Sequence, residues 1–250
     1  MENWLKAGLL RAAANRSEAL EGYVLGRGLP YSLMEEMQVG LWQAPAEPAP
    51  EGKYRTQHGE RGDWRAGWLT LPYWSPSGRV LGVEYRTWSF DEKKKVRDYR
   101  LPRSEHNPTF IGMAPSVLQK IWAGGSVWLV EGAFDLCISK ALPKGDVALA
   151  CGTARLSRLQ LHFLRRFLAR TAMVHVAFDM DETGQKQLTG FHDRSKATSD
   201  RDPGKWIPGV PARLEKAGLR ARPVRYSGGK DPGEIWDRGG VHALKRAFQL

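Results

Sequence analysis

Ser126-Val-Trp-Leu-Val-Glu-Gly-Ala-Phe-Asp135 is the stretch that decides the fold class. A short apolar run ends at an acidic residue, and a helix-like segment from Phe134 to Leu142 follows it. The same order then recurs along the chain, with apolar runs at 147–151 and 172–178, helix-like segments at 157–170 and 210–217, and an edge-like strand at 220–226. Such alternation predicts an α/β fold, with a parallel sheet and crossover helices.

Acidic residues follow three of these strands. They are Glu131 and Asp135 after the first, Asp179 and Asp181 after the third, and Asp231 and Glu234 after the fourth. Ligands of open parallel sheets gather beyond the carboxyl ends of the strands. Carboxylate oxygens are hard ligands, so the pattern predicts a site for Mg²⁺ or Mn²⁺, and no His or Cys cluster favours a softer metal such as zinc.

Each of these acids also has a purely structural explanation. A lone carboxylate at a strand end is commonly a helix cap or a solvated loop charge, and Asp135 fits a first-turn acid that favours a helix N-terminus. Counting Asp231 alone after the fourth strand, five acids at successive strand ends are harder to explain in that way. We therefore favour a shared site over five separate caps.

The segment before residue 124 differs in character. Its first forty residues are predicted to be helical, residues 43–66 are rich in proline and charge, and 68–74 with 79–86 are predicted to pair around a Ser-Pro-Ser-Gly turn. We expect a smaller mixed α+β subdomain over 1–123 and a parallel-sheet domain over 124–232. An inserted surface loop is expected over 189–208, and a helical tail over 233–250.

The charge of the chain suggests a polyanionic partner. The 250 residues carry 38 Lys and Arg against 27 Asp and Glu, a net charge of +11. Phosphate contacts supply much of the affinity for nucleic acid. A basic strip holds the candidate contacts to single-stranded DNA, with Trp88 as a candidate for base stacking: Lys93, Lys94, Lys95, Arg97, Arg100 and Arg103. The alternatives are a solvated loop for the strip and ordinary packing for the tryptophan.

Other function classes are disfavoured by composition. No apolar run has the eighteen or so residues that a membrane span needs, and the first residues do not form a secretion signal, so we expect a cytoplasmic protein without a membrane partner. Cys137 and Cys151 both lie in apolar runs, where buried thiols are expected. Two cysteines cannot build a four-cysteine zinc ribbon.

Taken together, the motifs resemble a known family. Glu131-Gly-x-x-Asp135, Asp179-x-Asp-x-x-Gly184 and Lys230-Asp-Pro-x-Glu234, in this order, resemble the Toprim domain of bacterial and phage DnaG-type DNA primases. The resemblance extends upstream to Arg27-Gly-Leu, Gly78–Arg86 and Tyr99-Arg-Leu, and it includes Gly152-Thr-Ala154 after the second strand. It covers about residues 18–245.

The resemblance implies a function and roles for residues. It implies primer synthesis on single-stranded DNA from nucleoside triphosphates, with Glu131, Asp179 and Asp181 catalytic and metal-binding, and Asp135 and Asp231 in the same acidic cluster. Lys230 and Arg86 would contact nucleotide phosphate. The family's zinc ribbon and helicase-docking domain have no counterpart in the sequence, so a helicase or a separate template-recognition protein is the expected partner.

The chain also departs from the family pattern. Gly233 replaces a common second Asp, and Asp98 stands where a Lys is usual. Two rival functions therefore stay open: a Toprim nuclease and a non-catalytic nucleic-acid-binding subunit. A topoisomerase is disfavoured, because it would need a nucleophilic tyrosine on a separate large domain for which these 250 residues leave no room. The upstream primase-like segment favours primase over nuclease.

Overall fold

The computed structural model describes residues 2–43, 67–87, 95–99, 109–196 and 203–250. Several predicted features lie outside these residues. They are the loop at 43–66 except for its first residue, and Trp88, Lys93, Lys94, Arg100 and Arg103. Lys95 and Arg97 lie in a described strand, but their side chains are outside the description.

Three helices open the chain: α1 (Glu2–Ala14), α2 (Glu18–Gly26) and α3 (Tyr31–Glu36). Ser17 begins α2 as its N-cap, because its hydroxyl accepts a hydrogen bond from the Leu20 N–H at 3.2 Å. An antiparallel sheet follows, formed by β1 (Gly40–Leu41), β2 (Leu69–Trp74), β3 (Val80–Arg86) and β4 (Lys95–Tyr99) in that order. The predicted hairpin is the pair β2 and β3, with Pro72 opposite Val83.

A parallel sheet forms the second part of the fold. Its strands are β5 (Val127–Val130), β6 (Val147–Ala150), β7 (Met173–Val176) and β10 (Arg220–Pro223), in the spatial order β10-β7-β5-β6. β10 is an edge strand, as the sequence predicts, while β5 and β7 lie at the centre. The predicted α/β class, with a parallel sheet and a smaller antiparallel one, is confirmed.

The connections are mostly helical: α4 (Pro115–Trp122), α5 (Arg158–Phe167), α6 (Glu182–Thr189), α7 (Val210–Lys216) and α8 (Pro232–Phe248). The predicted helix after β5 is instead a 3₁₀ helix, Ala133–Lys140. Within the region predicted as an inserted loop, β8 (Phe191–Asp193) and β9 (Lys205–Ile207) pair as a small antiparallel sheet. Two segments of three residues are too short for an alternation pattern to indicate strands.

The main hydrophobic core includes side chains from both sides of residue 124. Leu20, Val24 and Met34 of the helical segment belong to the same buried cluster as Val127, Leu129 and Val176 of the parallel sheet. A smaller cluster forms around Leu9, Trp42, Val80, Val83 and Tyr85. The proposed domain boundaries stay a prediction. The shared core nevertheless packs α2 and α3 against the sheet that carries the acids.

No helix in the described ranges is long and apolar enough to cross a membrane.

Candidate active site at the ends of the parallel strands

The structure brings the five predicted acids to one end of the parallel sheet. Glu131 directly follows β5, and Asp135 lies in the 3₁₀ helix that comes next. Asp179 follows β7, Asp181 is the N-cap of α6, and Asp231 is the N-cap of α8. The central position of β5 and β7 explains this convergence, because the carboxyl ends of neighbouring parallel strands lie side by side.

Backbone hydrogen bonds connect these strand ends. The Asp179 N–H donates to Oε1 of Glu131 at 3.2 Å, and the Gly233 N–H donates to Oδ1 of Asp135 at 3.3 Å. The Met180 N–H donates to the Lys230 carbonyl at 2.6 Å. Three separate loops are therefore held in contact by bonds that do not depend on a ligand.

Gly184 allows the loops to approach this closely. A Cβ atom at this position would lie 2.0 Å from the Asp179 carbonyl oxygen and 2.9 Å from Oε1 of Glu131. Neither distance is possible for a real side chain. The glycine of the Asp-x-Asp-x-x-Gly motif thus has a steric role, which is to let α6 begin directly against Glu131 and Asp179.

Crowding and burial raise the pKa of three of the carboxyl groups. Burial raises the pKa of Glu131 to about 7, the hydrogen bond from Asp179 opposes this, and the charges of Asp181, Asp135 and Asp231 add to it. For Asp179, burial and then the charges of the other four acids raise the pKa to about 8.

Asp135 is almost fully buried, and its pKa rises to about 6. Burial is the main cause, and the charge of Asp231 adds to it; the N–H groups of Gly132 and Gly233 and the charge of Arg86 oppose it. Negative charges that raise the pKa of Glu131, Asp135 and Asp179 in this way form a site to which a cation is electrostatically attracted.

One oxygen at the centre of the cluster lacks a partner. Oδ1 of Asp179 is buried and accepts no hydrogen bond. Buried polar atoms are usually satisfied, so within this cluster of acids the unpartnered oxygen is a position for a cation to bind. The donor set, oxygen only and mainly carboxylate, fits Mg²⁺ or Mn²⁺.

Several of the other carboxylates instead bind backbone N–H groups. Asp181 caps Gly184 at 2.8 Å, Asp231 caps Glu234 at 2.7 Å, and Asp135 accepts from Gly132 at 2.7 Å as well as from Gly233. Among the described residues, no group of three or more His, Cys, Asp or Glu side chains is arranged to hold a metal ion. The structural explanation by capping therefore holds for Asp181 and Asp231, but it does not exclude binding through their other oxygens.

Basic residues adjoin the acids on one side. The Arg86 guanidinium lies over the Phe134 ring at 5.4 Å, and its Nε donates to the buried Glu84 at 2.6 Å. Lys230 is more exposed, with Nζ 3.9 Å from Oδ2 of Asp231. Both predicted phosphate contacts thus lie at the edge of the acidic cluster.

Arg27 is a residue that the site prediction missed. Its guanidinium lies over the same Phe134 ring at 5.2 Å and pairs with Asp237 at 3.1 Å, and its Nε is buried without a hydrogen-bond partner. A Cβ at Gly233 would lie 3.4 Å from Nη2 of Arg27 and 3.3 Å from Oδ1 of Asp231. The Arg27-Gly-Leu element was the only signal that could have indicated it.

Cys137 and Cys151 are both buried thiols that form no disulfide, as the sequence predicts. Burial raises the pKa of each thiol far above its ordinary value, so neither is a reactive thiolate.

Several solved structures of primase domains have a similar architecture. The zinc-binding and RNA polymerase domains of the Aquifex aeolicus primase match with a TM-score of 0.65 and 21% identity, over 98% of this chain and 59% of that one. The RNA polymerase domain of Mycobacterium tuberculosis DnaG matches with a TM-score of 0.64 and 17% identity, over 99% and 82%. A DnaG primase catalytic domain bound to ssDNA matches with a TM-score of 0.63 and 14% identity, over 99% and 80%.

The chain has the fold of the DnaG primase catalytic core. No family model matches the sequence, and no curated protein matches it. The chain spans somewhat more than half of the Aquifex chain and about four fifths of the other two. The match to DnaG-type catalytic cores covers the N-terminal helices and the antiparallel sheet as well as the parallel sheet, as the motif order predicts.

Proposed function

We propose that this chain synthesises short primers on single-stranded DNA by metal-dependent nucleotidyl transfer. The observation that carries the proposal is the buried, unpartnered Oδ1 of Asp179, whose pKa is raised by burial and by the charges of the four neighbouring acids. That cluster lies at the strand ends of a fold shared with primase catalytic domains.

Glu131, Asp179 and Asp181 are the residues that we expect to hold Mg²⁺ or Mn²⁺, with Asp231 adjacent. When bound, the metal would supply charge neutralisation for the triphosphate and the attacking 3′-hydroxyl. Both oxygens of Asp135 accept backbone N–H groups, so we give this residue a positioning role in addition to its predicted place in the metal cluster.

Acceptance of the proton and binding of the triphosphate are assigned to side chains in and around the cluster. Glu131, with its pKa near 7, is suited to accept the proton of a 3′-hydroxyl at neutral pH. Arg86, Arg27 and Lys230 adjoin the acids on the side where a triphosphate would need positive charge. Guanidinium groups suit this task because their planar donors match phosphate oxygens two at a time.

We assign binding of the template strand to the basic strip from Lys93 to Arg103. One solved catalytic domain of this fold is bound to ssDNA, and another is in complex with double-stranded DNA. We further propose that a helicase or separate template-recognition protein selects the start sites, because phosphate contacts position a strand without identifying its bases.

A Toprim nuclease is the main rival function, since it would use the same acids. Against it stands the fold similarity of the upstream segment, which matches primase domains along with the parallel sheet. The intact acidic cluster disfavours a non-catalytic subunit. Burial of carboxylates costs free energy of folding, and a protein that only binds nucleic acid gains nothing from that cost.

The test is primer synthesis by the purified chain with labelled nucleoside triphosphates, Mg²⁺ or Mn²⁺, and a single-stranded template. We expect labelled oligomers that depend on the template and the metal and that are absent with Asp179→Asn. Metal-dependent shortening of the template without new oligomers would instead support the nuclease. Template binding without either reaction would support the non-catalytic subunit.

A further inference from the structure

Strand β3 carries a fully buried acid, Glu84, whose side chain is 0% exposed. Its neighbours Val83 and Tyr85 belong to the smaller hydrophobic cluster. Successive side chains of a strand alternate between its two faces, so Glu84 lies on the opposite face and shares it with Arg86. A carboxylate in such a position costs free energy of folding unless it is paired.

Arg86 connects this buried acid to the edge of the candidate active site. Its Nε donates to Oε1 of Glu84 at 2.6 Å, and its guanidinium lies 5.4 Å from the centre of the Phe134 ring. The Arg86 side chain is 21% exposed, so it is partly open to a ligand. The charge of Arg86 opposes the rise in the pKa of Asp135, so the guanidinium lies within electrostatic range of the acidic cluster.

Stability alone does not account for a glutamate at position 84. Desolvation of two buried charges offsets much of their attraction, and apolar side chains of similar volume often stabilise a protein as well or better. A hydrogen bond to Nε, in contrast, fixes the plane of the guanidinium. The direction of Nη1 and Nη2, the donors that can bind two phosphate oxygens at once, then depends on Glu84.

We propose that Glu84 is a positioning residue, which orients Arg86 so that Nη1 and Nη2 meet the phosphates of an incoming nucleoside triphosphate. An arginine that is already held in its binding geometry loses less conformational entropy when phosphate binds. The inference rests on the proposed function in taking a nucleoside triphosphate as the ligand of Arg86.

Charge and orientation predict different effects when Glu84 is changed. The negative charge beside Arg86 weakens the Coulombic attraction of its guanidinium for phosphate. If Glu84 only reduced the charge of the site, a neutral residue of the same length would tighten triphosphate binding. If Glu84 orients Arg86, the length of the side chain matters more than its charge.

The test measures binding of a fluorescent, non-hydrolysable ATP analogue to the full chain, with Mg²⁺ and without template. Glu84→Asp keeps the charge but shortens the side chain, so it should lose the bond to Nε and bind the analogue about 5- to 30-fold more weakly. Glu84→Gln keeps the length and an oxygen acceptor, and it should bind within about 3-fold of the parent.

A second comparison asks whether Glu84 acts through the arginine. In an Arg86→Ala background, Glu84→Asp should weaken binding no further. Thr70→Val is the control for a buried polar group in the same sheet, because the Thr70 hydroxyl bonds to the N–H and carbonyl of Gly40. It should lower the melting temperature and leave the affinity for the analogue unchanged. Thermal unfolding should show that each variant is folded.

Several outcomes would overturn the positioning role of Glu84. They are parent-like binding by Glu84→Asp, equal losses in the Asp and Gln variants, tighter binding by Glu84→Gln, a loss that persists without Arg86, and a parent that does not bind the analogue. If the chain makes primers but Glu84→Asp binds as the parent does, the positioning role alone fails. If binding depends on Glu84 in a chain that makes no primers, the proposed function alone fails.

Discussion

The backbone N–H of Asp179 donates to Oε1 of Glu131, so one acid of the cluster is held by the backbone of another. A glutamine at position 131 would keep an oxygen acceptor for this bond but lose the negative charge. Glu131→Gln should therefore fold normally and lose at least about 100-fold in the rate of synthesis. Steady-state primer synthesis measures this. Glu182→Gln, an exposed acid paired with Lys186, is the control and should retain activity.

A substitution at Asp181 can distinguish its role as the N-cap of α6 from its proposed role as a metal ligand. Asparagine is as good an N-cap as aspartate, so Asp181→Asn should keep the bond to the Gly184 N–H and the stability of α6. Synthesis should nevertheless be lost, because an amide is a much weaker ligand for Mg²⁺. Circular dichroism and synthesis assays on the same preparation test both parts. An active Asp181→Asn protein would show that the residue is only a cap.

The pH dependence of stability should reveal the buried carboxyl of Asp179. Its folded pKa of about 8 exceeds the unfolded value of about 3.9. Between these values the folded state binds more protons, so the stabilising contribution is full below about pH 4 and is lost as pH rises towards 8. Without metal, Asp179→Asn should therefore gain in melting temperature over the parent between about pH 5 and about pH 8.5. Added Mg²⁺ should raise the parent's melting temperature at the upper end of this range and the variant's much less. A constant difference across the range would contradict the burial of the charge.

Binding of single-stranded DNA by the basic strip can be tested by replacing its lysines. Replacing Lys93, Lys94 and Lys95 together by alanine should weaken binding to single-stranded DNA. The slope of log affinity against log salt should become shallower by about one unit for each phosphate that the variant no longer binds. A matched triple replacement of Arg165, Arg166 and Arg170, on and after α5, is the control. An unchanged slope for the lysine variant would show that these three lysines do not contact the phosphates of the bound strand.

Gly28 is expected to be sensitive to the smallest substitution. It has φ of 81°, and a Cβ there would lie 2.6 Å from both Cβ of Cys137 and the Trp236 ring. Gly28→Ala should lower the free energy of unfolding by about 2–4 kcal/mol, since strain and overpacking act together. Gly22→Ala is the counterpart, because nothing lies within 4 Å of a Cβ in the middle of α2, and it should be neutral or stabilising. Urea denaturation of the two variants measures the contrast, and equal effects would refute it.

The acidic cluster could be predicted from the sequence because its members follow strands. Each acid has a fixed place after an apolar run, and parallel pairing then brings Glu131, Asp179 and Asp231 together. The same reasoning places β10 at the edge of the sheet. Periodicity and motif order carry this information along a short stretch of chain.

Contacts between distant segments could not be predicted in that way. Arg27 and Arg86 meet on the ring of Phe134 only because a shared core packs the N-terminal helices and the antiparallel sheet against the 3₁₀ helix. No local pattern specifies which arginine reaches that ring. Likewise, β8 and β9 are too short and polar to be distinguished from a loop.

The packing of α8 against the N-terminal segment affects the order in which parts of the chain can fold in the cell. The Trp236 indole donates to the Gly26 carbonyl at 2.8 Å, and its ring covers Gly28. As a ribosome makes the chain from its N-terminus, Gly26 and Gly28 emerge long before the tryptophan that holds them. Arg27 therefore cannot be held in its final place by this contact until translation has passed residue 236, when all five acids of the cluster have already been made.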